Sequence, residues 1–278
     1  MNFDEIFPDN REEGETRLRQ CQLVMLRMFK IFDYLCTKYQ IEYFLTGGTL
    51  LGAIRHKGFI PWDDDFDIAI TRKNYEKFVK FAVPELPFDI FFQNPDTDPL
   101  YPACHCVEAK LRDKYSSYAR KPNGQENRQD GIQLDIFVYD RAFLPNNFLI
   151  YLVNRFFIFR RHKGNEGRAK ALQFVEKYSP IPLVYSSSFM CNQELRKLGT
   201  YVKAKEISKL IKMPFEDMEA YIPVGWHTYL KRQYGDYMKL PPPEKQKGGH
   251  GIDLPDPFTP SEHPASLNWK DRKKNLVK

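Results

Sequence analysis

Apolar residues recur at three- and four-residue steps between positions 15 and 39: Leu18, Cys21, Met25, Met28, Phe32, Leu35, Cys36 and Tyr39. Arg17, Arg19, Arg27, Lys30 and Lys38 fall mostly on the other side. This period predicts a long amphipathic helix. A short apolar run, IEYFLT (41–46), predicts a strand. A glycine pair and a short helix from Thr49 to Arg55 follow, then a strand from Phe66 to Ile70. Thr71 can cap a helix over Lys73 to Phe81 that stops before Pro84. Further strands are predicted at 88–93, 103–111 and 131–139, with helices at 146–162, 166–178 and 224–234. Segments 94–99 and 121–130 read as loops.

Strands and helices alternate over 41–139, and helices dominate afterwards. The expected fold is therefore α/β (α+β): a mixed-sheet catalytic half with a helical C-terminal half packed on it. Residues 1–240 form the expected catalytic domain. From 241 the prolines at 241, 242, 243, 255, 257, 260 and 264 exclude regular helix, predicting an irregular segment partly folded back on the domain. The last residues, KDRKKNLVK, read as a solvated basic tail.

Charge changes this picture at one place. In GGTLLGAIRHKGFIPWDDDFDIAI (47–70), Asp63, Asp64, Asp65 and Asp67 put four carboxylates into five residues, where like charges repel unless something positive sits among them. Side chains alternate along a strand, so Phe66, Ile68 and Ile70 face a core while Asp63, Asp65 and Asp67 project together to the other side. Two residues apart on a strand, Asp65 and Asp67 stand roughly 6.5 Å apart at the backbone. Asp64 falls on the wrong parity and reads as loop or supporting residue. DGIQLDIFVYD (130–140) repeats the logic: Ile132, Leu134, Ile136 and Val138 alternate with Gln133 and Asp135. If the two strands are neighbours, about 4.8 Å apart, Asp135 joins the same polar face. Such a set suits two divalent cations, Mg²⁺ or Mn²⁺, which take hard oxygen ligands and bridge phosphates. Gly47 and Gly48 let backbone N–H groups approach a phosphate at a helix start, and Thr49 can donate its hydroxyl. Arg55, His56 and Lys57, between the glycines and the acids, can neutralise phosphate charge.

The chain of 278 residues is 42% hydrophobic and 15% aromatic, enough for one large domain or one with a helical appendage. Its mean hydropathy of -0.56 is that of an ordinary soluble protein. The net charge of +6 suits a phosphate ester, and no basic block interleaved with aromatics supports a nucleic-acid groove. Five cysteines without framework spacing fit a reducing compartment, and Cys104-His105-Cys106 lacks a second pair to complete a zinc site. The acidic N-terminus shows no signal peptide, and FLIYLVNRFFIF (148–159) is too short to span a bilayer, so a cytoplasmic location is expected. A basic end at Arg160, Arg161, His162 and Lys163 would let 148–163 rest on the inner membrane leaflet; a buried helix satisfying its own dipole is the other reading.

A glycine pair opening a helix, a D-x-D strand and a later strand carboxylate resemble the DNA polymerase beta-type nucleotidyltransferase superfamily. The longer string TGGTLLGAIRHKGFIPWDDDFDIAI is similar to the LicD family of bacterial phosphocholine transferases and the eukaryotic fukutin and fukutin-related proteins. KLRD (110–113), GIQLDIF (131–137), MPFED (213–217), YGDYMKLPP (234–242) and His250 extend the resemblance over most of 15–250. The spacer from Gly48 to Asp65 is longer than in most of the superfamily and matches the LicD pattern.

The resemblance implies transfer of a phospho-alcohol from a cytidine diphosphate ester to a glycan hydroxyl, releasing CMP. It implies Asp65 and Asp67 as metal ligands and catalytic residues, Asp63 as an additional acid, Asp135 as third carboxylate, and Gly47, Gly48 and Thr49 as the diphosphate turn. Lys110, Arg112 and His250 are weaker phosphate contacts. Choline is the expected alcohol, with glycerol and ribitol as alternatives and Trp62, Tyr43, Tyr101, Trp226 and Tyr234 as candidate aromatic faces for a quaternary ammonium. The acceptor is expected to be a glycan, a lipid-linked one among the alternatives. A nucleotidyltransferase acting on a triphosphate, and a non-catalytic glycan- or partner-binding protein, are the rival readings.

Overall fold

The computed structural model describes residues 2–101, 107–118, 129–142, 184–186, 201–248 and 255–276. The apolar stripe near the N-terminus follows a one-turn helix, Phe3–Ile6 (α1), and forms a helix over Arg17–Lys38 (α2). Thr16 caps α2 by accepting the Arg19 N–H at 3.1 Å. Met25, Met28, Phe29, Phe32 and Leu35 are buried as the stripe requires. Arg27 departs from the expected solvent side. It is buried, donating to the Phe7 carbonyl and pairing with Asp4 and Asp89 at 3.0 Å each.

The first sheet contains Tyr43–Leu45 (β1), Asp67–Thr71 (β2), Ile90–Gln93 (β3), Ala109–Asp113 (β4) and Gln133–Ala142 (β5). Their spatial order is β1-β2-β5-β4-β3, with β2 and β5 parallel and every other pair antiparallel. Val184–Ser186 (β6) extends the far end of β5, and Tyr201–Lys203 (β7) pairs with β6. The central strands read as alternating because one parity faces α2. Phe66 packs on Phe29 with ring centroids 4.6 Å apart, and Ile68, Ile70, Leu134 and Ile136 are fully buried.

Gly47–Arg55 (α3) leads from β1 toward β2, starting two residues before the expected Thr49. The helix after Thr71 begins at Arg72–Lys77 (α4), winds wider over Phe78–Ala82 and tightens into a 3₁₀ turn at Val83–Glu85. Pro84 enters that last turn near its start, where its missing N–H costs nothing. Thr71 occupies the cap position without a cap bond; its hydroxyl accepts from Asn74 instead.

The described residues after 142 carry strands as well as the helix expected at 224–234. Beside β6 and β7 they form a hairpin of Leu210–Phe215 (β8) and Met218–Pro223 (β9). One helix of nine residues, Trp226–Tyr234 (α5), follows, and a one-turn helix, Arg272–Asn275 (α6), lies near the end. The helices expected at 146–162 and 166–178, the segment 148–163, the Cys104–Cys106 run and His250 lie outside the described residues. The hairpin packs on the sheet: Phe215 joins Phe29, Phe59 and Phe66, and Tyr221 meets Tyr43 edge-on.

The C-terminal segment folds back. Asp256 bridges Ser117 in a two-way backbone pair, and Leu267 N–H donates to the Lys114 carbonyl. Arg272 pairs with Asp4, so the basic end is not simply solvated. No helix among the described residues is long and apolar enough to cross a membrane.

Candidate active site

The register of the parallel pair decides where the acids meet. Asp67 lies directly opposite Asp135, and Lys110 on β4 lies opposite Asp135 from the other side. The three therefore share one sheet face in adjacent strands. Lys110 Nζ bonds Asp135 Oδ1 at 2.6 Å, and Gln133 Nε2 reaches Oδ2 at 3.3 Å. Burial pulls the Lys110 ammonium down to about 8 although Asp135 opposes the shift.

The loop before β2 supplies the rest. Carboxylate oxygens of Asp63, Asp64 and Asp65 all lie within 4.8 Å of one another, a separation that a single cation can span. Asp64, set aside by parity, thus stands in the acid group, although buried. Its backbone carbonyl accepts the Tyr118 hydroxyl at 2.7 Å, and a Cβ on Gly248 would lie 2.9 Å from its carboxyl carbon. The loop is fastened from behind by Gln22, whose amide donates to the Asp63 carbonyl at 3.0 Å.

The glycine pair lies against these acids. Gly47 has φ +56°, and a Cβ there would sit 2.6 Å from Asp67 Oδ2. A Cβ on Gly48 would sit 2.9 Å from Asp63 Oδ2. Gly47, by its left-handed backbone, and Gly48, by its missing side chain, thus let the start of α3 close on the carboxylates. Thr49 bridges α3 to the strand that carries Asp67: its buried Oγ1 accepts the Asp67 N–H at 2.8 Å.

Electrostatically the cluster is strained. Burial, then Asp65, Asp135 and Asp63, push the Asp67 carboxyl well above the ordinary range, and Lys110 only partly offsets them. Arg55 feels Asp63, but its guanidinium donates to His56 Nε2 at 2.9 Å and to the Tyr237 carbonyl at 3.0 Å. Lys57 is exposed in a left-handed turn (φ 59°), its carbonyl accepting the Glu216 N–H. Arg112, two residues along β4 and on the same face as Lys110, is bound to Gln93 and the Gly131 carbonyl. The excess of carboxylate over ammonium fits hard divalent cations: Asp63, Asp64 and Asp65 would hold one, and Asp65, Asp67 and Asp135 have the right chemistry for another.

Beneath Gly47 lies a group that sequence reasoning missed. The Thr46 hydroxyl contacts Tyr229 Oη at 2.8 Å and Tyr139 Oη at 3.3 Å, and the Gly47 backbone also bonds Tyr229. Tyr139 shares its parity with Asp135, a signal that was available; Tyr229, on α5, carried none. Tyr234 ends the same helix with 41% of its surface exposed. Burial around its hydroxyl, then the charges of Tyr229, Asp67, Asp63 and Asp65, hold that phenol well above its ordinary range. Of the other proposed aromatic faces, Tyr43 and Tyr101 are buried with their hydroxyls on Asp33 and the Val107 carbonyl.

This geometry has counterparts. Over residues 40–141 the chain matches the family described as LicD/FKTN/FKRP, nucleotidyltransferase domain. It is 31% identical over 274 residues to the lipopolysaccharide cholinephosphotransferase LicD of Haemophilus influenzae, covering 84% of this chain and 96% of that protein. The chain belongs to the LicD family. A shorter stretch of 52 residues is 46% identical to an uncharacterized protein, RP689, of Rickettsia prowazekii, 19% of this chain and 20% of that one. The matched domain contains Gly47, Gly48, Asp63, Asp65, Asp67, Lys110 and Asp135. Tyr229 and Tyr234 lie beyond it, so in this LicD family member the site draws on chain outside the matched domain.

Proposed function

We propose that this protein transfers phosphocholine from CDP-choline to a hydroxyl of a cell-surface glycan precursor, releasing CMP, with Mg²⁺ or Mn²⁺ at the acids. The observation that carries the reading is the pairing of Asp67 with Asp135 on adjacent parallel strands, beside the Asp63–Asp65 loop and against the glycines of α3. The printed activity of the Haemophilus relative supports the choice of choline and of a glycan acceptor. A cytoplasmic enzyme meeting a lipid-linked acceptor at the inner membrane face completes the proposal.

Phosphoryl transfer asks mainly for positioning and charge neutralisation. When bound, the cations would supply Lewis acidity to the diphosphate and lower the pKa of the acceptor hydroxyl. The remaining work falls to this chain. Amides at the start of α3, with Gly48 free of a Cβ, receive the diphosphate oxygens. The Gly47 backbone is already engaged by Tyr229, so it anchors the turn. Asp135, held by Lys110 and Gln133, takes the proton of the attacking hydroxyl as its oxygen bonds to phosphorus and the bond to CMP breaks.

Thermal unfolding with CDP-choline, CDP-glycerol, CDP-ribitol, CTP and CMP, each with and without Mg²⁺, tests the reading. A ligand at about 100 times its dissociation constant adds about 2.7 kcal/mol. Metal-dependent stabilisation by CDP-choline, absent in Asp65→Asn and Asp67→Asn, is expected, together with CMP release. Stabilisation by CTP alone, with pyrophosphate released, would replace it with a nucleotidyltransferase. No response to any nucleotide would leave a binding protein.

A further inference from the structure

A cavity of about 700 Å³, well inside the size range of small-molecule sites, opens away from the acids between the end of α2, the start of α4 and the turn entering β8. Glu42 and Tyr43 line it at the start of β1, while Thr46 and Gly47 at the other end of that strand serve the carboxylate cluster. Four residues of extended chain separate the two places by roughly 13 Å.

Its polar lining is unbalanced. Lys73 and Lys77 come from α4 and Lys209 from the turn before β8, against one carboxylate, Glu42. Among the described residues the Lys73 and Lys209 ammonium groups make no hydrogen bond or ion pair, and Lys77 donates only to the Gln40 carbonyl at 3.0 Å. That carbonyl is offered by a residue in the left-handed region, Gln40 at φ 52°. Three cations from two distant segments line one concavity, and an anion seated there can draw on all of them. Asn74, whose amide N–H donates to Thr71, offers its carbonyl oxygen; Ser208, whose hydroxyl donates to the Lys205 carbonyl, can still accept; and Tyr221 adds an aromatic wall.

We propose that this cavity binds a phosphorylated sugar, its phosphate held by Lys73, Lys77 and Lys209 and its hydroxyls by Asn74 and Ser208. The lysines provide charge-assisted donors for the oxyanion, while the neutral groups and the ring suit a polyol with an apolar face. The site is independent of the phosphocholine chemistry: it stands or falls without Asp65 or Asp67.

Calorimetric titration with glucose 6-phosphate, glucose and inorganic phosphate at low salt tests it. Glucose 6-phosphate is expected to bind saturably and more tightly than either fragment. Lys73→Gln combined with Lys209→Gln should weaken it about tenfold or more, and Asp65→Asn with Asp67→Asn should leave it unchanged. Both lysines are exposed, and each single variant carries the same test if the double variant does not fold. Absence of saturable binding would overturn the proposal. So would phosphate binding as tightly as the sugar phosphate, or binding that survives loss of the lysines and disappears with the acids. A phosphate-bearing lipid headgroup shares the anion chemistry; vesicles of anionic phospholipid outcompeting glucose 6-phosphate would assign the cavity to lipid and overturn the sugar.

Discussion

Asp67 is buried beside Asp65, Asp135 and Asp63 and relieved in part by Lys110, which makes its charge costly in the folded protein. Its folded pKa is raised, so its contribution to stability is fully present below the ordinary carboxylate pKa and is lost as pH rises through the raised value. Chelator-treated protein should therefore melt at a lower temperature at pH 8 than at pH 5, and Asp67→Asn should flatten that slope. Mg²⁺ should restore the wild type most at the higher pH, as scanning calorimetry would show. The same substitution should abolish CMP release. Removing the positive partner acts oppositely: Lys110→Met strands Asp135 in a buried setting and should cost about 3–5 kcal/mol in urea unfolding. Strand parity made Asp67 and Asp135 legible in the sequence, because alternation fixes which side chains of paired strands share a face. Asp63 and Asp65 follow the same rule in the sequence but join the group through the loop before β2. Asp64 lies in the loop, as its parity suggested, yet its carboxylate stands with those of Asp63 and Asp65 because alternation does not apply before Asp67. Parity was silent on Thr46 and Tyr229, whose meeting depends on how α5 docks.

The elements carrying the acids are locked together by one side chain from far along the sequence. Glu216, at φ 53° in the turn between β8 and β9, accepts the Phe59 N–H at 3.1 Å and pairs with Arg19 at 2.7 Å. Its own N–H donates to the Lys57 carbonyl, so the hairpin grips the loop between α3 and the acids. Glu216→Ala leaves the Phe59 amide and Arg19 without that partner and should cost about 1–3 kcal/mol, measured by denaturant midpoint. Donor affinity should fall with it, because the gripped loop leads into Asp63. The long helix and the strands at 43–45, 67–71, 90–93 and 133–142 were legible from periodicity and Gly/Pro punctuation. The hairpin was not: Glu216-Asp217 is no standard hairpin dipeptide, Pro214 interrupts β8, and β8 is largely uncovered, so its alternation is weak.

Across the molecule, the two ends of the described chain are joined through a buried ionic knot. Arg11 pairs with Asp9 and Asp113 at 2.7 Å each, donates to the Pro257 carbonyl, and lies 4.4 Å from the Trp269 ring centroid. Arg11→Met leaves two carboxylates buried without their main cation and should cost about 3–5 kcal/mol. Limited proteolysis should then cut within 255–276 sooner than in the wild type. Composition could not reveal this, because a buried arginine reads like any surface one until its partners are known. The strand order has a consequence for synthesis. β5 sits at the centre of the sheet yet is the last of its five strands to be made. Until residue 142 has emerged from the ribosome, β1–β2 and β3–β4 are separate pairs, each with a bare edge. The growing chain therefore cannot bring Asp67 and Asp135 together, nor bear their repulsion, before β5 slots between the pairs and completes both at once.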